Sequence, residues 1–239
     1  MKLDILAFAA HPDDAELGCG GTLLKHIAEG RKVGIIDLTK GELGTRGSAE
    51  IREQESNAAA KILGITVRAN LALPDGIFEL NAANKSEIVR MIRTYQPELV
   101  LANAILDRHP DHGRASQLVS ESVFLAGLVK FSTNDEQNIP QQAWKPRAVY
   151  HYIQDRYIKP DIIIDITPFM EQKMAAIMAY SSQFFNPDSK EPITPIATKE
   201  FLDFLSARAM DYGRIIGVPF GEGFTTERPA GVASLFDLR

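Results

Sequence analysis

At 239 residues, with 45% hydrophobic and 24% charged residues, the chain has the composition of a globular protein able to bury a sizeable core. Its net charge of −5 argues against a general nucleic-acid binder, and no stretch approaches the roughly 18 consecutive apolar residues of a membrane span. A single cysteine, Cys19, excludes an internal disulfide, and Met1-Lys2-Leu3-Asp4 opens no apolar leader, so the expected compartment is the cytoplasm.

Residues 3–10 predict a buried first strand, its apolar run over 5–10 leading into Ala10-His11-Pro12-Asp13-Asp14. Residues 14–29 follow as a helix with Leu17, Leu23, Leu24 and Ile27 on its apolar side and Gly30 closing it. Its glycines, Gly18, Gly20 and Gly21, weaken a helix, so they mark a close approach by another backbone or a ligand. Residues 32–39 predict a second strand, covered on both faces, and residues 40–48 a glycine-rich loop at its carboxyl end. Ser48 is placed to cap a helix over 49–63 that stops at Gly64. A third strand over 65–73 leads to a Pro74-Asp75-Gly76 turn, and a helix over 84–95 stops before Pro97. A fourth strand over 98–105 delivers the chain to Arg108-His109-Pro110-Asp111-His112, with a helix over 113–129 beyond it.

Past residue 130 the pattern loosens. A polar loop over 134–146 precedes strands over 148–153 and 161–166, read as antiparallel or at an edge. Helices over 169–185 and 199–212 flank a segment bearing Pro187, Pro192 and Pro195, and residues 217–239 read as a tail folded over the body. The alternation predicts an α/β, Rossmann-like, mostly parallel sheet with helices on both faces, in one domain spanning 1–239. Ligands of such sheets bind at the carboxyl ends of the strands, which gathers His11, the glycine-rich loop, Asp75 and residues 109–112 on one rim. Gly18-Cys19-Gly20-Gly21 does not spell a dinucleotide fingerprint, which argues against a nucleotide-binding protein.

Two proline-bearing motifs, each after an apolar run, hold three of the five histidines. His11 and Asp14, three apart in a tight turn, aim at one point, and His112 is the natural third donor. Two imidazoles and a carboxylate suit Zn²⁺, which in catalytic sites takes three protein ligands and keeps a position for water. Asp13 is left over beside such a metal, where a carboxylate serves as general base. His11, Asp13 and His112 also spell the facial triad of an Fe(II) oxygenase, although those enzymes are usually jelly rolls. A metal-holding, sugar-binding module without turnover is a third reading, and it has no use for the spare carboxylate of Asp13. Cys19 reads as a buried structural thiol, His26 as helix surface and His151 as core.

The paired motifs resemble the LmbE/PIG-L family of metal-dependent N-deacetylases. The likeness extends over Gly41-Glu42-Leu43-Gly44-Thr45-Arg46-Gly47-Ser48 with Arg52 and Glu55, and over Leu73-Pro74-Asp75. Asp107-Arg108-His109-Pro110-Asp111-His112, Ser182-Gln183-Phe184 and Glu222-Gly223-Phe224 are similar to the subgroup that deacetylates N-acetylglucosaminyl-malate in bacillithiol biosynthesis. The resemblance implies His11, Asp14 and His112 as ligands of zinc or another divalent metal, and Asp13 as general base. It implies a protonated His109 as electrophile and acid, Asp111 as the group orienting an imidazole, and Arg52 and Asp75 as holders of sugar hydroxyls. The implied reaction is metal-dependent hydrolysis of the N-acetyl group of a small amino-sugar substrate, with N-acetylglucosaminyl-malate first and a general N-acetylglucosamine or chitooligosaccharide deacetylase as the alternative. Arg46 and Arg108, on the same rim, are placed to meet the malate carboxylates. Homo-oligomers are common in the resembled family; nucleic acid and membrane are not expected partners. Some members carry a tyrosine where this chain has Asp107, so that tyrosine's catalytic help is in doubt here.

Overall fold

The structure, a computed structural model, describes residues 1–237. The first half of the chain forms β1 (Ile5–Ala9), α1 (Asp14–Ala28), β2 (Val33–Asp37), α2 (Ala49–Leu63), β3 (Val67–Asn70), α3 (Ala82–Tyr95), β4 (Leu99–Ala102) and α4 (Pro110–Ala126). The second half forms β5 (Ala148–Tyr152), β6 (Ile162–Asp165), α5 (Met170–Met178), α6 (Lys199–Ile215) and β7 (Gly221–Thr226). The seven strands make one sheet in the order β3-β2-β1-β4-β5-β7-β6. Neighbours from β3 to β5 are parallel, and β7 runs antiparallel to both β5 and β6.

β1 is apolar throughout because both of its faces are covered. Leu6 and Phe8 enter a core with Ile88 and Ile92 of α3 and Leu118 and Val119 of α4. Ile5, Ala7 and Ala9 enter the opposite core with Leu23 of α1, Leu63 of α2 and Ala176 of α5. Each large side chain so buried contributes about 1.5–3 kcal/mol. The fold is therefore the mostly parallel, doubly covered sheet that the alternation implied. No helix among the described residues is long and apolar enough to cross a membrane.

Where signals were local, the sequence and the structure coincide. Ser48 caps α2 by accepting the Ile51 N–H at 3.3 Å, and Gly64 ends it in the left-handed conformation at φ 76°. Elsewhere the expected bounds shift. α4 starts at Pro110, not Gly113, because proline suits the first helical position and His109 caps it through Nδ1. Asp111 and His112 thus lie in its first turn. The helix expected over 169–185 ends at Met178, because Glu55 draws the next segment away, accepting from Ser181 Oγ, Ser182 N–H and Ser182 Oγ.

Two corrections concern the glycines. The segment 217–239 is not only a folded-back tail: Gly221–Thr226 is a strand inserted between β5 and β6. Gly221 lies so close to Ile163 and Gly213 that a side chain would not fit. The close approach expected at α1 comes from neighbouring side chains, Tyr152 at Gly18 and Ile166 at Gly21, and not from backbone or ligand. At the same level β7 grips α1. The Glu222 carboxylate accepts the N–H groups of Gly21 and Thr22 at 2.9 and 2.7 Å, while Lys173 of α5 donates to Leu17 C=O at 2.9 Å and to Glu222 at 2.6 Å.

Candidate active site

β1 has β2 on one side and β4 on the other, so successive connections diverge here and open a crevice beyond the strand ends. β1 delivers His11, Asp13 and Asp14 to it; β4 delivers Asn103 and residues 107–112; β5 delivers Gln154. A cleft of about 450 Å³ results, within the range of small-molecule sites.

Asp14 is the hub. Its carboxylate accepts the His11 N–H at 2.9 Å, Asn103 Nδ2 at 3.0 Å and Gln154 Nε2 at 2.8 Å. His112 Nε2 lies 3.1 Å from its Oδ1 and His11 Nδ1 3.5 Å from its Oδ2, so Asp14 touches both imidazoles. Each ring is held by carboxylates at its other nitrogen. His112 Nδ1 donates to Asp107, and His11 Nε2 faces Asp75 Oδ1 at 3.0 Å and Asp111 Oδ2 at 3.3 Å. Asn103 also accepts the Ala10 N–H, tying the loop after β1 to the end of β4.

Asp13 stands apart from this lattice. It occupies the N-cap of α1 with φ 123°, a strained conformation for a non-glycine residue, and its side chain makes no capping bond. Its buried carboxylate meets Arg52 Nη2 at 3.3 Å. Burial, only partly opposed by Arg52, raises its pKa to about 7. Arg52 itself donates to Gln183 Oε1 at 2.5 Å and packs against Gly41, whose φ of 66° and missing side chain make room for the guanidinium.

Five buried carboxylates, of Asp13, Asp14, Asp75, Asp107 and Asp111, face this small volume. The imidazoles answer them. Burial disfavours a charged ring at His112, but Asp14 and Asp107 raise its pKa to about 9. Burial likewise opposes charge on His11, yet Asp111, Asp14 and Asp75 push it well above the ordinary histidine range. Burial would raise Asp14, but His112 and His11 hold it well below the carboxylate range. A divalent cation would supply the same positive charge while releasing those protons. The donors fit one: imidazole nitrogens with carboxylates fixing their far sides, and a carboxylate between them. Nitrogens of His11, His109 and His112 lie within 4.8 Å of one another, as do donor atoms of His11, Asp75 and Asp111.

His109 Nδ1 accepts the Asp111 N–H at 3.3 Å, which leaves Nε2 as its donor, and burial, with His11 and His112, lowers its pKa. Asp75 lines the cleft, but its oxygens are engaged by His11 and by the Leu43 N–H at 2.9 Å, and its pKa falls to about 2 as His11 outweighs burial. Arg46 donates to Ser189 Oγ at 2.7 Å and lies 3.6 Å from Glu191. Arg108 donates to Asp155 at 2.8 Å with its side chain 51% exposed. Asp107, in the position of the family tyrosine, orients His112. Sequence reasoning missed Asn103 and Gln154, single amides just past strand ends, and the α6 side of the cleft with Phe201, Leu205 and Arg208.

Residues 6–123 match the family described as PIG-L: GlcNAc-PI de-N-acetylase. Over 229 residues the chain is 31% identical to the diacetylchitobiose deacetylase of Thermococcus kodakarensis, spanning 92% of this chain and 81% of that one. This chain belongs to the PIG-L family. It is accordingly a hydrolytic enzyme of the deacetylase class. The conserved protein TT1542 of Thermus thermophilus superposes with a TM-score of 0.86 at 34% identity, over 98% of both chains. The bacillithiol subgroup is a more distant match: the probable N-acetyl-alpha-D-glucosaminyl L-malate deacetylase 2 of Bacillus anthracis is 25% identical over 206 residues, covering 75% of this chain and 81% of that one.

Proposed function

We propose that the protein is a cytoplasmic, zinc-dependent amidohydrolase that removes the N-acetyl group from an N-acetylglucosaminide. The observation that carries this reading is Asp13: a strained, buried carboxylate with a pKa near 7, beside the imidazole and carboxylate donors but bound through its side chain to Arg52 and not to them. That is the pKa a general base needs near neutral pH. A pure binding module would gain nothing from it.

His11, Asp14 and His112 would hold the zinc, which when bound supplies Lewis acidity toward the acetamide carbonyl and lowers the pKa of water to roughly 7. Asp13 takes a proton from the attacking water as its oxygen bonds to the acetyl carbon. His109 Nε2–H donates a hydrogen bond to the oxyanion, a contact strongest in the transition state. The C–N bond then breaks, and the proton held by Asp13 passes to the leaving nitrogen, giving acetate and a free amine. Asp107, Asp111 and Asp75 keep the imidazoles oriented throughout, and Arg52 keeps Asp13 in place.

Two aglycones are in play. Malate is favoured by the Bacillus anthracis relative; a second N-acetylglucosamine is favoured by the Thermococcus kodakarensis relative. Acetate release from N-acetylglucosaminyl-malate, N,N′-diacetylchitobiose and free N-acetylglucosamine, before and after chelation and with zinc restored, tests the proposal. No chelator-sensitive acetate release from any of them would sink it.

A further inference from the structure

Four arginines line the cleft: Arg46, Arg52, Arg108 and Arg208. The first three are committed, to Ser189 and Glu191, to Asp13 and Gln183, and to Asp155 respectively. Arg208 has no hydrogen bond and no ion pair among the described residues. Its one close partner is the ring of Phe204, with Cζ 5.3 Å from the ring centre. A guanidinium's N–H groups lie in its plane, so a ring against its face leaves all five free to donate.

The carboxylates around Arg208 are committed elsewhere, and the buried Tyr212 hydroxyl makes no hydrogen bond to it. The charges that bear on it are those of Tyr212, Glu222, Asp155 and Asp107. Glu222 is held by Lys173 and the α1 amides, Asp155 by Arg108, and Asp107 by His112 and the Arg156 N–H. Phe201, Leu205 and Arg208 fall at i, i+4 and i+7 of α6, so one helix face presents an apolar strip to the cleft with the cation at its end.

Resting on the deacetylase reading above, we propose that Arg208 is the specificity-determining residue of the cleft, and that it takes an oxyanion carried by the group attached to the amino sugar. A planar fork of free donors is matched by a carboxylate or a phosphate, which accept it bidentately. Arg108 and Arg46, which the sequence singled out for this task, would first have to leave their own carboxylates.

The test compares kcat/KM for three N-acetylglucosaminides: one of a hydroxy acid, one of glycerol phosphate, and the uncharged methyl glycoside. The wild-type enzyme should prefer at least one anionic substrate by about tenfold or more. That preference should weaken with added salt. Arg208→Met should abolish the preference, lowering kcat/KM for the preferred anionic substrate by about tenfold or more relative to the methyl glycoside. Arg208→Lys should keep part of the preference, and Arg108→Ala should keep most of it. Which anion is preferred identifies the carboxylate or the phosphate. Equal rates on all three substrates, or a preference that survives Arg208→Met, would overturn the inference and leave the deacetylase reading intact. Absence of acetate from every substrate would overturn both.

Discussion

At the inner end of the cleft almost every polar side chain is held from several sides, Asp14 by three donors and two imidazoles, His11 by carboxylates on both edges of its ring. On the outer wall Arg208 touches one aromatic ring, and the half-exposed Arg108 pairs with a single aspartate. The inner end stands on strand ends of the parallel sheet; the wall is made by α6 and by the outward side of the loop between β4 and α4. Chemistry that needs atoms fixed to within about half an ångström is carried by the rigid part. Discrimination between substrates, where a shift costs less, is left to a part that can change without disturbing the chemistry.

That contrast breaks first at its innermost point. Asp13→Ala should lower kcat by about 10²–10⁴-fold while metal content stays near one equivalent, because only the proton acceptor is lost. Asp14→Ala should lose metal and activity together. Kinetics with elemental analysis separate the two, and equal metal loss in both variants would make Asp13 a ligand and revive the oxygenase spelling. Behind the site, Glu222→Ala should cost about 3–5 kcal/mol in denaturant unfolding, since it leaves Lys173 charged and buried without its partner. A loss below about 1 kcal/mol would show that the pair does not hold β7 against α1. Asp107→Ala should weaken metal binding by about 10–100-fold, measured by chelator competition, with the fold intact. The smallest effect belongs to the wall: Arg108→Ala should change KM by only a few-fold and leave kcat alone, since Arg108 itself is half exposed and such pairs contribute about 0–1 kcal/mol. A large drop in kcat would move Arg108 into the inner group.

The inner end was also the more legible part of the sequence. The βα alternation, the Ser48 cap and Gly64 stop, and the two His-Pro-Asp motifs are local patterns, and local patterns survive in one dimension. β7 was not legible: Gly221 and Gly223 look like loop residues until Ile163 and Tyr212 are seen packed against them. Asn103 and Gln154 are single amides whose meaning lies in a carboxylate 89 and 140 residues away. Arg208 sits in an ordinary amphipathic helix, and what distinguishes it is the lack of a partner, which no sequence pattern records. The cap bond of His109 and its two imidazole neighbours likewise come only with the fold.

The grip of Glu222 on α1 has a consequence for how the enzyme comes into being. The helix that presents Asp13 and Asp14 is clamped from far along the chain: the carboxylate accepting its Gly21 and Thr22 amides is 201 and 200 residues further on. Until that strand slides between β5 and β6, Lys173 has no counter-charge and the first helix has no clamp. A nascent chain can therefore assemble most of its parallel sheet without holding a finished site.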